Sequence, residues 1–510
     1  MGNYTGPTFE SFNQGLKIYG FETQDIDIVF TINSSSFSVI TSGTCAYNVY
    51  WGDGESETVN ASGTFTKSHS YSSSGIYNVG IDVVSGTFRP YYNTNSNGDK
   101  ITRIRGKYNT VIGNGSFQNA FYGSANLEEF TVDLSGVTSL YNAFLSCPNL
   151  DYFNNSPASI TLQRPLFNFR DLSNVTYIGG AFADTGSLVF NGFNLSGLSG
   201  NQYYQSGGSG SLTYYGPFSR TLYYNNYYNA SSEASNVVSI GSSTNPIGFG
   251  TTGGNTFNLA FFASGCTSLQ QVYFDSGVKI TSLQYAFTRS TALDTFEVLD
   301  KDLSNCTAIG GAFANTGSLV FNGFNLSGLS GNQYYQSGGG QSTKYYGPFS
   351  RANTPYSIDS YSSSSEASKV VSIGSSTEPI GFGTTGGNTF GLSCFASGCT
   401  SLQQVYFDSG VKITSLQHAF RNCSGLTTFR NQDSATGFTT ITNMSGAFTG
   451  CALDADSIEN ILVSCDNGGK SSVVLNINGG SNAAYSTWSG IATQALSNLQ
   501  GKSWTISYNT

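Results

Sequence analysis

VTSLYNAFLSCPNLDYF (Val137 to Phe153), ITSLQYAFTRSTALDTF (Ile280 to Phe296) and ITSLQHAFRNCSGLTTF (Ile413 to Phe429) superimpose without a gap. Each carries an Ala-Phe pair, then a Leu, then a Phe. Related versions run from Val175 to Phe190 and from Cys306 to Phe321, with weaker ones at Ser116 to Phe130, Phe262 to Phe274, Phe395 to Phe407 and Ile441 to Leu453. Where nothing is inserted, the Phe to Phe spacing is 144 − 121 = 23, 287 − 262 = 25 and 420 − 395 = 25. A period of this length marks units that stack on one another.

A single unit buries roughly four large side chains, worth on the order of 6 to 12 kcal/mol. Ordering its backbone and side chains costs about 1.5 kcal/mol per residue, several times more in total. One turn therefore cannot fold alone. Hydrogen bonds and apolar contacts with both neighbours must supply the difference, which predicts an elongated stack.

The unit lies inside a larger duplication. DLSNVTYIGGAFADTGSLVFNGFNLSGLSGNQYYQSGG begins at Asp171 and a near-identical stretch begins at Asp302, an offset of 302 − 171 = 131. The blocks run over 171–296 and 302–429.

TSLxxAFxxCxxLxxF resembles the repeat of BspA-type leucine-rich-repeat surface proteins, a class found on bacterial surfaces and in phage structural proteins. The likeness covers most of Ile101 to Cys451, and it departs from the pattern at two long inserts and where some turns lack the Cys. Ahead of the repeats, WGDG (Trp51 to Gly54) is followed by HSYSSSGIYNV from His69. Alternating apolar residues in Tyr47 to Trp51 and Tyr77 to Val83 read as strands, with a tight turn at Gly52, Asp53 and Gly54. This pairing of motifs resembles the PKD-type immunoglobulin-like domain. Joined directly to BspA-type repeats, it is similar to an arrangement met in phage virion proteins.

The expected fold is mainly β with short helices. An N-terminal arm (1–20) leads into a PKD-like β-sandwich (21–92), then a leucine-rich-repeat solenoid (93–453) with two inserts, then an α/β cap (454–510). In the cap, Asp454 to Cys465 carries acidic capping residues before an apolar helical period and SVVLNI reads as a strand. AAYSTWSGIATQALSNLQG reads as a helix closed by Gly501, and Trp504 to Tyr508 supplies a last strand.

Charged residues make up only 10% of the chain, whereas Gly, Ser, Asn and Tyr are abundant, a composition that fits an extracellular or virion setting. The net charge of −9 argues against a nucleic-acid partner, because no basic stripe exists to displace counterions from phosphates. The first twenty residues show no charged segment followed by an apolar one, and no run of 18 apolar residues appears, so neither a secretory signal nor membrane insertion is expected. Five of nine cysteines (Cys147, Cys266, Cys399, Cys423, Cys451) follow the motif Phe and are expected as reduced fillers of the turn interior. CxxC pairs with accompanying histidines are absent, so no metal and no cofactor is expected.

Each block carries a Tyr-rich tract at the same place. The flanks, QYYQSGG and YYGPFSR, match almost letter for letter, whereas Thr221 to Tyr228 and Ala352 to Tyr361 differ. Tyr beside Ser, Gly and Asn is the chemistry of a binding surface, since rigid rings supply area while small polar residues adapt. Tyr203, Tyr204, Tyr214, Tyr215, Tyr223, Tyr224, Tyr227 and Tyr228, with Tyr334, Tyr335, Tyr345, Tyr346, Tyr356 and Tyr361, are the candidate ligand-binding residues. The competing reading is that the shared tyrosines only pack the inserts onto the repeats.

No catalytic residue is expected. Gly248, Gly250 and Gly253, and Gly381, Gly383 and Gly386, spell GxGxxG, but no helix pattern or ribose-binding acid follows. His69 belongs to the PKD-like motif, and His418 replaces Tyr285 at the matching repeat position. Asp275 and Asp408, like Asp171 and Asp302, recur as turn residues rather than as converging acid pairs.

The resemblance implies a non-enzymatic virion surface protein, a fibre or a head or tail appendage assembled in host cytoplasm. It would meet other virion proteins through its N-terminal region and a host-surface glycan or protein through its inserts. Side-by-side association into a homo-oligomer stays open. A bacterial cell-surface adhesin of the same repeat class and a polysaccharide depolymerase are the alternatives.

Overall fold

The computed structural model describes residues 26–93, 96–106, 115–154, 170–208, 211–224, 227–230, 234–249, 255–337, 343–354, 363–383 and 388–510. The N-terminal arm lies outside them. The chain divides into two compact units, 1–198 with 235–237, and 199–234 with 238–510.

In the first unit, strands β1 (Ile28–Thr41), β2 (Cys45–Tyr50), β3 (Ser56–Ala61) and β4 (Phe65–Gly86) pair antiparallel in the order β3-β2-β4-β1. The expected strand at Tyr77 to Val83 falls within β4, and that at Tyr47 to Trp51 coincides with β2 up to Tyr50, one residue short of Trp51. Three further strands, β5 (Ile101–Gly106), β6 (Glu129–Thr131) and β7 (Tyr152–Phe153), continue the same sheet beyond β1. β5 joins β1 antiparallel, with Ile28 opposite Gly106, and β5, β6 and β7 then run parallel. The first repeats are thus hydrogen-bonded to the N-terminal strands rather than strung after them on a linker.

The WGDG and HSY motifs meet in space. The rings of Trp51 and His69 stack at 4.7 Å, His69 Nε2 lies 2.7 Å from Asp53 Oδ2, and the Tyr71 hydroxyl donates to the Trp51 carbonyl. Both turn glycines adopt positive φ, and a side chain at Gly52 would strike the Asn78 carbonyl. His69 is therefore part of the scaffold.

One backbone interaction defines each turn. The amide of the motif Phe donates to the carbonyl one turn on, as Phe121 to Ala143 and Phe144 to Ala181 in the first unit, and Phe287 to Ala312 and Phe420 to Ala447 in the second. Tyr92 makes the same bond to Ala120 and starts the column. Phe37, Tyr92, Phe121, Phe144 and Phe182 then stack with centroids 5.7 to 6.0 Å apart and planes within 16°. Phe144, Phe287 and Phe420 occupy equivalent interior rungs and are fully buried.

This criterion corrects the alignment at two turns. Ala263 and Ala396, not Phe262 and Phe395, make the rung hydrogen bond, to Ala286 and Ala419. The true spacings are 287 − 263 = 24 and 420 − 396 = 24. Phe262 and Phe395 sit one place earlier, where other turns have Ala, so bulk and small residue exchange places within one core.

The cysteines do more than fill space. The thiols of Cys147, Cys423 and Cys451 donate to the carbonyls of Phe121, Ala396 and Phe420 in the preceding turn, and Ser290 Oγ does the same to Ala263. The position calls for a small donor, which reconciles a buried carbonyl with a tight turn.

The cap closes this ladder. Phe448 N–H donates to Asn476 within Val474–Ile477, which pairs parallel with Thr505–Tyr508. Helix α1 (Ala455–Asn467) is capped by Asp454, whose side chain accepts from Ser457 N–H. Helix α2 (Gly490–Gly501) begins later than its sequence suggests, because Ser489 caps it and Tyr485–Thr487 forms a separate 3₁₀ turn.

Candidate functional site

Both tyrosine tracts lie in the second unit, and each folds into a four-stranded antiparallel sheet. The first comprises β8 (Tyr204–Gly208), β9 (Ser211–Tyr215), β10 (Arg220–Tyr224) and β11 (Tyr227–Ala230). The second comprises β12 (Tyr335–Ser337), β13 (Thr343–Gly347), β14 (Ser350–Thr354) and β15 (Ser363–Ser365).

The GPFS segment at the middle of each sheet is a rung of the repeat ladder. Phe218 N–H donates to Phe262 and Phe349 N–H to Phe395, while Cys266 and Cys399 direct their thiols at the Phe218 and Phe349 carbonyls. Phe349 stacks on Phe313 at 5.5 Å, as Phe313 does on Phe287 at 5.7 Å. A side chain at Gly216 or Gly347 would strike the carbonyl of Phe261 or Cys394, which explains the glycine. Each tract is therefore a full turn carrying two hairpins, one before and one after its rung. Sequence reading treated it as one insertion, although the invariant GPF flanked by divergent tips was the available signal.

The candidate tyrosines separate into groups. Tyr204 and Tyr215 face each other across β8 and β9, half-buried, with rings 4.4 Å apart and 2° from parallel. Tyr203 and Tyr214 turn to the repeats and pack on Phe261, Tyr214 stacking on it at 4.5 Å. Tyr223 pairs with Tyr228 and Tyr224 with Tyr227 in the register of β10 and β11. Tyr334 packs edge to face on Tyr345, which is 5% exposed and lies against Cys394. Tyr335 stands opposite Tyr346 in the register of β12 and β13. Tyr356 and Tyr361 lie outside the described residues.

Two of these assignments are corrected. Tyr346 is 1% exposed and Tyr345 little more, so neither offers a surface to a ligand. They pack the second sheet onto the repeats. Burial also raises the Tyr346 hydroxyl above its ordinary range, with Glu366 nearby adding to the shift.

Sequence reading missed the charge cluster beside Tyr346. Arg289 grips Glu366 with Nε at 3.0 Å and Nη2 at 2.6 Å, and Arg351 pairs with the same carboxylate while lying over the Tyr346 ring at 5.8 Å. Burial, and then the neighbouring Arg351, depress the Lys344 ammonium. Arg289 comes from the Phe287 turn, so this fork ties the second sheet to the repeats.

Below the first sheet runs an aromatic floor. Phe261 stacks on Tyr285 at 5.5 Å, and Tyr285 meets Tyr346 edge to face at 5.2 Å. In the second copy the matching floor residues are Cys394 and His418. Among the described residues no group of three metal-capable side chains converges, and no helix is long and apolar enough to cross a membrane.

Residues 106–203 and 372–467 match the family model described as BspA type leucine rich repeat region. These stretches carry leucine-rich repeats of that type. No curated protein sequence matches the chain. Among solved structures, it is similar to a leucine-rich repeat protein from Bacteroides ovatus ATCC 8483, at 12% identity over 80% of this chain and 95% of that one, with a TM-score of 0.22.

Proposed function

We propose that this chain is a non-enzymatic adhesion protein that displays its two tyrosine-rich sheets to a host-surface ligand, and that it is carried on the outside of a phage particle. One observation carries the adhesion reading. A single copied frame holds two four-stranded sheets of the same strand order, and the sequence differences concentrate in two segments, Thr221 to Tyr228 and Ala352 to Tyr361. A scaffold repeated almost letter for letter, with variation confined to two short segments, is how a contact surface diversifies without disturbing its support. The virion placement rests on the joint resemblance of the WGDG…HSY segment and the following repeats to phage proteins.

The test compares binding of isolated host envelope by the intact chain and by one in which Thr221 to Tyr228 and Ala352 to Tyr361 are replaced by Gly-Ser. Loss of binding with unchanged thermal unfolding is expected, and equal binding would remove the adhesion reading. Mass spectrometry of purified virions tests the placement separately.

A further inference from the structure

In the cap, Thr505–Tyr508 forms a two-stranded sheet with Val474–Ile477 and is paired along one edge only. The register sets Ile506 beside Leu475 and Tyr508 beside Ile477. Leu475 and Ile477 are fully buried, whereas Ile506 and Tyr508, one strand further out, are half-buried. The apolar column of the ladder reaches solvent here.

The backbone shares this asymmetry. Thr505 N–H donates to the Val473 carbonyl, and alternate residues of a strand direct their backbone groups to the same neighbour. Thr505 and Ser507 therefore bond to Val474–Ile477, and the N–H and C=O groups of Ile506 and Tyr508 point the other way. Among the described residues none of these four groups has a partner.

The surface around this edge lacks charge. From Ser481 to Thr510 the only charged side chain is Lys502, which Asp466 holds. Tyr485, Trp488 and Tyr508 cluster with ring centroids 5.2 to 5.5 Å apart, and Ile491 at the start of α2 is 62% exposed. Strands that stay single are blunted by charge, proline or a bulge. Thr505–Tyr508 has none of these.

We propose that two copies of this chain form a two-fold dimer by antiparallel pairing of Thr505–Tyr508 with itself, the axis passing through Ser507. In that register Ile506 of each copy faces Tyr508 of the other. Each pair exchanges two N–H···O=C bonds, so all four outward groups of each copy are satisfied, and the half-buried Ile506 gains an aromatic neighbour. An axis at Ile506 would instead set Tyr508 opposite Trp504, whose N–H already donates to Leu499. The uncharged layer meets its own image without repulsion, although the chain carries a net charge of −9, and charge depletion with Tyr and Trp enrichment is the composition of a homodimer interface. Four residues span only about 13 Å, short of the roughly 1,200 Å² that a stable interface buries, so the contact extends over the exposed face of α2 around Ile491. Pairing doubles the number of tyrosine sheets and so adds avidity to the proposed adhesion, but it does not rest on that reading.

Sedimentation equilibrium of the full chain at micromolar concentration is expected to show twice the mass of one chain. Ile506→Pro removes an N–H that bonds nothing within the chain, which an edge strand tolerates, and should weaken the dimer about tenfold or more with Tm unchanged. Ser507→Cys tests the register without altering the backbone. The axis brings its two Cα atoms to about 4.5 Å, within disulfide reach, so glutathione disulfide should oxidise the two thiols to a covalent dimer and itself be reduced to two glutathione thiols. Thr505→Cys, set opposite Asn509, should not cross-link, and the native cysteines are all buried. A monomer at every concentration, a dimer indifferent to Ile506→Pro, or a Ser507→Cys variant that cross-links no better than Thr505→Cys overturns the proposal.

Discussion

Phe261 and Tyr285 stack with ring centroids 5.5 Å apart and planes 8° from parallel, and both hold a left-handed backbone, φ +60° and +57°. Every other turn with a positive φ here fills the position with Asn, Gly, Cys or His: Asn119, Asn142, Gly180, Gly311, Cys394, His418 and Gly446. A bulky residue there costs about 1–2 kcal/mol. Only the packing of these rings between the first sheet and Tyr346 offsets that cost, so the strained pair supports the tyrosine surface.

Tyr285→Gly should therefore destabilise, although glycine relieves the strain. The lost ring outweighs the relief by about 2 kcal/mol, which thermal unfolding would register as a lower Tm. Asn142→Gly, at the same place in another turn, should leave Tm unchanged or raised. Equal losses at both sites would show that the Phe261–Tyr285 stack supports nothing.

Cys423 should tolerate Ser and resist Val. Serine keeps the donor to the Ala396 carbonyl, as Ser290 does natively to Ala263, whereas valine removes it and overfills the turn, a cost of about 2 kcal/mol or more. Burial pushes the Cys423 thiol up to about 12, so a thiol-directed reagent at pH 8 should label it only at the rate of unfolding. Rapid labelling of folded protein would contradict this.

Asp408 and Asp275 should weaken the fold at neutral pH. Burial raises both carboxyls and Asp433 and Asp300 add repulsion, which backbone amide bonds, from Phe382 and Ser409 to Asp408 and from Phe249 to Asp275, offset only in part. A carboxyl raised in the folded state binds more protons there, so stability falls as pH rises from the ordinary carboxylate range through the folded value. Asp408→Asn keeps the acceptor without the charge and should hold or raise Tm at pH 7, while Asp408→Ala, which strands the Phe382 amide, should lower it. A lower Tm for the Asn variant would contradict the sign.

Asp53 should behave oppositely. Burial alone would raise its carboxyl, but the bond with His69 and the Glu55 amide hold it below the ordinary range. Its contribution is present above the unfolded-state carboxylate value and disappears as pH falls through the folded one. Asp53→Asn should lower Tm at pH 7, and the gap to wild type should close under acid. A gap that stays constant would remove the link to this carboxylate.

Sequence periodicity exposed the repeats because each turn buries the same faces, and it placed Phe144, Phe287 and Phe420 on equivalent rungs. It misplaced Phe262 and Phe395 because apolar residues one position apart both point into one core, and only backbone bonding distinguishes them. The GPFS rungs were hidden by length, since two hairpins separate Phe218 and Phe349 from their neighbours. Pairing of β1 with β5 and the convergence of Arg289 on Glu366 join residues distant in sequence, which no local pattern encodes. Of the tyrosines, residue type identified the sheets but could not tell half-buried Tyr215 from its sealed counterpart Tyr346, because burial depends on contacts between residues distant in sequence.

Native-state hydrogen exchange measures the central claim most directly, that the tyrosine sheets hang from rungs of the repeat ladder. The amides of Phe218 and Phe349 are predicted to exchange as slowly as those of Phe287 and Phe420, opening only with the whole unit. Exchange of Phe218 and Phe349 at the faster rate of the hairpin strands around them would show that the tracts are loose insertions, and the account would not stand.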